Sequence, residues 1–89
     1  MPTISVFYGI IIQTYWDDHN PPHFHARYGS ARALFRISDG EMISGELPHS
    51  AARMVSDWAL LRREELEHNW KLMLQHQQFE RIAGPDGQG

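Results

Sequence analysis

Residues 23–47, HFHARYGSARALFRISDGEMISGEL, decide the fold predicted for this chain. Two short pairs, Gly29-Ser30 and Asp39-Gly40, divide the stretch into three runs rich in strand-forming residues. Such pairs are typical of the two-residue turns whose twist matches that of antiparallel strands. The stretch therefore predicts a three-stranded meander, with strands at 23–28, 31–37 and 41–47.

The turns also predict which residues face each other across neighbouring strands. The pairs predicted across the first turn are Tyr28 with Ala31, Arg27 with Arg32, His25 with Leu34, and His23 with Arg36. The pairs predicted across the second turn are Ile37 with Met42, and Arg36 with Ile43.

Because side chains alternate between the two faces of a strand, this register divides the meander into two sets. The apolar set is Phe24, Ala26, Tyr28, Ala31, Ala33, Phe35, Ile37 and Met42. The opposite set is His23, His25, Arg27, Arg32 and Arg36, with Leu34 and Ile43. The sequence thus predicts one face for packing and one face that carries imidazole and guanidinium groups.

The residues before the meander predict one further strand and a rigid loop. The run at 6–16, VFYGIIIQTYW, is apolar on both alternating faces, as in a strand covered on both sides. The sequence DDHNPP at 17–22 cannot continue a ladder, because proline lacks an N–H donor and forces the preceding residue to be extended.

The residues after Pro48 follow helical spacing. One apolar stripe comprises Ala51, Met54, Val55, Trp58 and Leu61, and after a step of five it continues with Leu66, Trp70, Met73 and Leu74. This step predicts a bend or break near 62–65, since an unbroken helix over 50–77 would be about 40 Å long. The sequence at 79–89 is typical of a flexible C-terminal tail. A single domain is therefore expected at 1–78.

The expected fold class is α+β. It consists of a four-stranded antiparallel sheet followed by one long or broken C-terminal helix packed on one face.

The composition narrows the classes of function. The 89 residues fit one small domain, and the absence of cysteine excludes disulfides and thiolate zinc sites. The net charge of −3 argues against nucleic-acid binding by bulk charge alone. Neither a membrane span nor a signal peptide is expected, because no apolar run approaches about 18 residues, and a cytoplasmic location is the expectation.

The stretch at 17–25, DDHNPPHFH, supports a metal hypothesis. His23 and His25 share a strand face, and His19 or Asp18 from the loop could complete a site for zinc or another divalent ion. The alternative is that these histidines are ordinary residues on a solvent-facing sheet and that the loop residues only shape a turn.

A second hypothesis treats the same face as an anion site. Arginine side chains bind phosphate, and histidine serves as general acid or base in RNA cleavage, which needs no metal. The catalytic candidates are His19, His23 and His25, and the phosphate-binding candidates are Arg27, Arg32, Arg36 and Tyr8. Nucleic-acid or phosphate binding without catalysis fits the same residues, so whether the chain is an enzyme stays open.

A third hypothesis is a non-enzymatic interaction module. In this interpretation the doubly apolar first strand and the helix are partner surfaces, the histidine loop is structural, and the chain forms a homo-oligomer or a complex.

The string DHNPPHFHA at 18–26, with PTIS at 2–5 and FYGI at 7–10, resembles the small bacterial family called domain of unknown function 4160. The likeness covers roughly residues 1–75. The signature positions that it implies are Tyr8, Asp18, His19, Asn20, Pro21, Pro22, His23 and His25. This sequence departs from relatives at residues 30–32 and 35–36, so the arginines are not implied by the family.

The resemblance also implies a partner. Members are typically encoded beside a short protein of another unknown-function family (2442), an arrangement that looks like a toxin–antitoxin pair. The leading hypothesis is therefore a toxin–antitoxin-like component that binds this small protein and acts on RNA or another phosphate-bearing ligand.

Overall fold

A computed structural model of the chain describes residues 2–16 and 19–87. Within these residues, five antiparallel strands form one sheet whose strand order follows the chain, and two helices come after it. The elements are β1 (Thr3–Phe7), β2 (Ile10–Gln13), β3 (His23–Tyr28), β4 (Ala31–Arg36), β5 (Met42–Glu46), α1 (His49–Leu61) and α2 (Arg63–Leu74).

The prediction of four strands is wrong, because the run at 6–16 contains a hairpin. Tyr8 and Gly9 both have positive φ, 50° and 79°, as the central residues of a type I′ turn require. Tyrosine is unusual at such a position. The only glycine of the turn lies between apolar residues, so the sequence does not indicate a turn there.

The predicted pairing of β3 with β4 is confirmed for all four residue pairs, including Arg27 with Arg32. The predicted pairing of β4 with β5 is wrong, since Met42 faces Phe35 and not Ile37. The chain reverses through residues 37–41, where Arg36 N donates to Glu41 O at 2.8 Å and Gly40 N donates to Arg36 O at 2.9 Å. This loop is longer than the predicted two residues, and a bulge at Leu34/Phe35 shifts the register further.

The prediction of one helix is corrected to two. Arg62 separates α1 from α2 with φ −106° and ψ 22°, within the stretch where the apolar stripe shifts. A break here lets both helices bury their apolar residues against one sheet.

The core centres on Trp58, which is 1% exposed. Its ring lies 5.1 Å from that of Phe7 and 5.6 Å from that of Phe24, and Phe24 stacks on Phe35 at 5.5 Å. The helices therefore cover most of the predicted apolar face of the meander, but Tyr28 and Met42, which were predicted on this face, are exposed.

Residues 77–84, most of them within the stretch assigned to a tail, return to the core and contact three elements. Ile82 is 2% exposed and donates its N–H to Ile4 O at 2.7 Å. Trp58 Nε1 donates to Ala83 O at 2.8 Å, and the Asn69 amide exchanges two hydrogen bonds with the Glu80 backbone. One buried isoleucine among mostly polar residues is too weak a pattern to predict that this segment packs against the core.

The longest helix in the described part of the chain has 13 residues, and none there is long and apolar enough to cross a membrane.

Candidate functional site

The candidate site lies on the open face of the sheet, defined as the residues of β2 to β5 that alternate with the core residues. On this face Ile11 faces Arg27, which faces Arg32, which faces Glu46. In the adjoining row Gln13 faces His25, which faces Leu34, which faces Ser44.

A groove with a volume of about 230 Å³ runs over this face. Its lining residues come from three strands and from the segment after β2: Tyr15, His25, Ala26, Arg27, Arg32, Ala33, Leu34, Ser44 and Gly45. We call this cavity the sheet groove. Its polar lining combines one imidazole, two guanidinium groups, one phenol and one hydroxyl.

Arg27 and Arg32 make the groove electropositive. They lie directly opposite each other, and like charges in this position destabilise a sheet. Neither forms an ion pair with any residue from 2–16 or 19–87. The Nε atom of Arg27 is buried and has no acceptor there, so this arginine pair is well suited to bind an anion.

His25 lies between aromatic neighbours in the groove. Its ring centroid is 4.3 Å from that of Tyr15, in an edge-on arrangement, and 5.3 Å from that of His23. His23 Nδ1 lies 2.8 Å from Pro21 O. Because a carbonyl oxygen only accepts, Nδ1 is the donor in this contact.

A family model described as a domain of unknown function (DUF4160) matches residues 9–71, well over half of the chain. The chain belongs to this family. The matched segment contains every residue that lines the sheet groove, whereas β1 and residues 77–84 lie outside it. Neither the curated proteins nor the solved structures gave a match.

In this DUF4160 protein, three of the predicted site residues line the sheet groove, namely His25, Arg27 and Arg32. His23 lies next to His25, but its ring is mostly buried and also contacts Trp70 at 5.6 Å. His19 is exposed in the loop before β3.

Arg36 is engaged by its own turn. Its Nε and Nη2 donate to the two carboxylate oxygens of Asp39 at 3.0 and 2.6 Å. The hydrogen bonds and charge of this pair raise the pKa of Arg36 and lower the pKa of Asp39. A paired guanidinium is a weaker candidate for ligand binding than the two arginines in the groove.

Tyr8 lies at the other end of the sheet from His23. It is 64% exposed in the β1–β2 turn, and a Cβ on the neighbouring Gly9 would lie 3.4 Å from the Tyr28 ring. Tyr28 ends the strand that His23 begins, about 16 Å away at 3.3 Å per residue. Tyr8 and His23 therefore cannot contact the same small ligand group.

The predicted metal set of His19, His23, His25 and Asp18 stays a prediction, because Asp18 lies outside the described residues. Across 2–16 and 19–87, no three His, Asp or Glu side chains lie close enough to hold a metal ion.

Two polar residues of the open face were missed as site candidates from the sequence. Ser44 lines the groove only because of the bulged pairing of β4 with β5, which the sequence does not show. Gln13 has a sequence signal, since it is a single amide at the end of the apolar run IIIQ.

Proposed function

We propose that this DUF4160 protein binds RNA through the sheet groove, as one component of a toxin–antitoxin-like pair with a small partner protein. The observation that carries the proposal is the arginine pair, Arg27 opposite Arg32, neither of which forms an ion pair with a carboxylate among residues 2–16 and 19–87. The resemblance to the family supports a small protein as the partner, and the chemistry of the sheet groove supports RNA as the ligand.

The energetics of the free protein favour an anionic ligand. The opposed guanidinium groups repel each other, and a phosphate between them replaces this repulsion with charge-assisted hydrogen bonds. Tyr15 offers an aromatic face for a base, which is a sequence-tolerant source of affinity for single-stranded RNA. The net charge of −3 means that binding depends on this patch and not on the chain as a whole.

We expect Arg27→Gln and Arg32→Gln each to weaken binding of a fluorescein-labelled oligoribonucleotide about 5- to 10-fold at low salt. Each substitution removes one phosphate-binding charge, so the slope of log affinity against log salt should fall by about 0.7 per contact. Fluorescence anisotropy over a salt series measures both quantities.

Arg53→Gln is the matched control, because Arg53 is exposed on α1 and its loss changes the net charge equally. Equal weakening by Arg53→Gln would show that binding follows net charge and would contradict the groove.

A second candidate is RNA cleavage, favoured by the 5.3 Å separation of the His23 and His25 rings. A neutral imidazole would take the proton of a ribose 2′-hydroxyl, whose oxygen then bonds to the adjacent phosphorus. The bond from phosphorus to the 5′-oxygen breaks, and a protonated imidazole gives that oxygen its proton. The products are a 2′,3′-cyclic phosphate and a 5′-hydroxyl, and the groove arginines stabilise the extra charge on phosphorus.

If the protein cleaves RNA, His25→Asn should lower the cleavage rate by about 100-fold or more while leaving affinity within about twofold. Single-turnover cleavage of a labelled RNA, with and without divalent ions, measures the rate. His49→Asn serves as control, since His49 is exposed at the start of α1. Intact RNA in every reaction of the unmodified protein would contradict catalysis and leave RNA binding in place.

A further inference from the structure

Gln13 is a buried amide with an unsatisfied oxygen beside the sheet groove. It is 7% exposed, and its Oε1 atom is enclosed without a hydrogen-bond donor in the described part of the chain. A buried acceptor left unpaired costs about 1–3 kcal/mol, and native proteins keep few such atoms. This oxygen therefore needs an explanation.

The register places Gln13 next to the groove residues. It is directly opposite His25, and Ile11, two positions earlier, is opposite Arg27. Gln13 and Arg27 are thus diagonal neighbours on one face, and such pairs lie about 7–8 Å apart.

Gln13 and Arg27 leave complementary atoms unsatisfied. Arg27 Nε is an enclosed donor without an acceptor, and Gln13 Oε1 is an enclosed acceptor without a donor, among residues 2–16 and 19–87. A phosphate group offers acceptors alone, so phosphate binding explains the arginine and not the glutamine. A ligand that satisfies both must present a donor and an acceptor side by side, as the edge of a nucleobase does.

We propose that Gln13 selects a base whose Watson–Crick edge carries an amino group at the position of adenine N6 or cytosine N4, next to a ring-nitrogen acceptor, for the groove. Gln13 Oε1 accepts a hydrogen bond from the exocyclic amino group, while Arg27 donates to the adjacent ring nitrogen. Guanine and uracil place a carbonyl oxygen where the amino group would be, and two acceptors repel each other. The inference rests on the proposed RNA binding and adds its base preference.

Both atoms are enclosed in the free chain, so the two side chains must turn toward the groove when the base enters. Glutamine and arginine have long, unbranched stems with several rotatable bonds, which makes this movement compatible with a fixed strand register.

The test compares labelled oligo(A), oligo(C) and oligo(U) of equal length by fluorescence anisotropy. The unmodified protein should bind oligo(A) and oligo(C) about 5- to 10-fold more tightly than oligo(U), as one added hydrogen bond provides. Gln13→Met removes the acceptor at similar volume, so all three RNAs should bind with the affinity of oligo(U). Gln13→Glu keeps an acceptor, and the preference should survive a general loss of affinity.

Four results would overturn the base preference. The unmodified protein could bind the three RNAs equally, Gln13→Met could keep the discrimination, or Gln13→Glu could lose it. A double-mutant cycle of Gln13→Met and Arg27→Gln on thermal stability could also show that the two side chains pair in the free protein. Absence of binding to every RNA would instead reject the proposed function itself, and the base preference with it.

Discussion

Replacing Trp58 by alanine is expected to lower the free energy of unfolding by about 3–5 kcal/mol. The indole is 1% exposed, packs against the rings of Phe7 and Phe24, and holds Ala83 O by a hydrogen bond of 2.8 Å. The substitution therefore opens a cavity between the sheet and α1 and also releases the C-terminal segment. Small domains have a total stability of about 5–15 kcal/mol, so the loss is a large fraction of it.

Thermal unfolding followed by circular dichroism measures this loss, and Tm should fall by more than about 12 °C. Leu61→Ala is the control on the same helix, since Leu61 is 62% exposed and should change stability by less than about 0.5 kcal/mol. Trp58→Phe keeps one aromatic ring but loses the N–H donor and part of the indole volume, at a cost of about 1 kcal/mol or more. A Tm of Trp58→Ala within a few degrees of the unmodified protein would contradict this description of the core.

Gly45→Ala is expected to cost about 3 kcal/mol or more. Gly45 has φ +83°, and an added Cβ would lie 2.3 Å from Arg32 O and 2.8 Å from Ala33 Cα. Both are backbone atoms of the neighbouring strand, so β5 would have to separate from β4. Because Gly45 lines the sheet groove, the RNA affinity of the folded fraction should also fall.

Gly29→Ala separates the two causes of the stability loss expected for Gly45→Ala, namely backbone strain and the steric clash with β4. Gly29 also has positive φ, +60°, but nothing in the described part of the chain lies within 4 Å of the position that an alanine Cβ would take. Alanine there should therefore cost about 1–2 kcal/mol from backbone strain alone. Urea unfolding of both variants gives the difference, which is the cost of the steric clash. Equal losses for the two variants would show that β5 tolerates displacement.

The parts of the fold set by local signals were predictable. The Gly29-Ser30 turn and the period of two were enough to predict the β3–β4 register and the core face. The first hairpin was not predictable in the same way, because Tyr8 occupies a turn position where the backbone is left-handed. The β4–β5 register depends on a bulge and a longer loop, which the Asp39-Gly40 pair does not reveal.

The candidate site could likewise be predicted only in part. Arg27, Arg32 and His25 come together through the predictable register, whereas Tyr15 and Ser44 join them through pairings that need the whole sheet. The sequence also predicts Arg36 as a site residue. Its bidentate contact with Asp39, which makes it a weaker candidate, is visible only in the geometry of the turn. Gln13 was visible as a polar residue in an apolar strand, but its missing hydrogen bond is a property of the packed structure.

The contact of residues 80–83 with the core has a consequence for folding during synthesis. Ile82 binds Ile4 in the first strand, and Ala83 accepts the hydrogen bond of Trp58. Domains fold as units while the ribosome releases the chain from its N-terminal end. The sheet and both helices emerge first, yet β1 and α1 lack these partners until the last of these residues has left the ribosome. The nascent domain should therefore reach full stability only after residues 80–83 have left the ribosome, and a partner protein that binds it earlier would meet a looser domain.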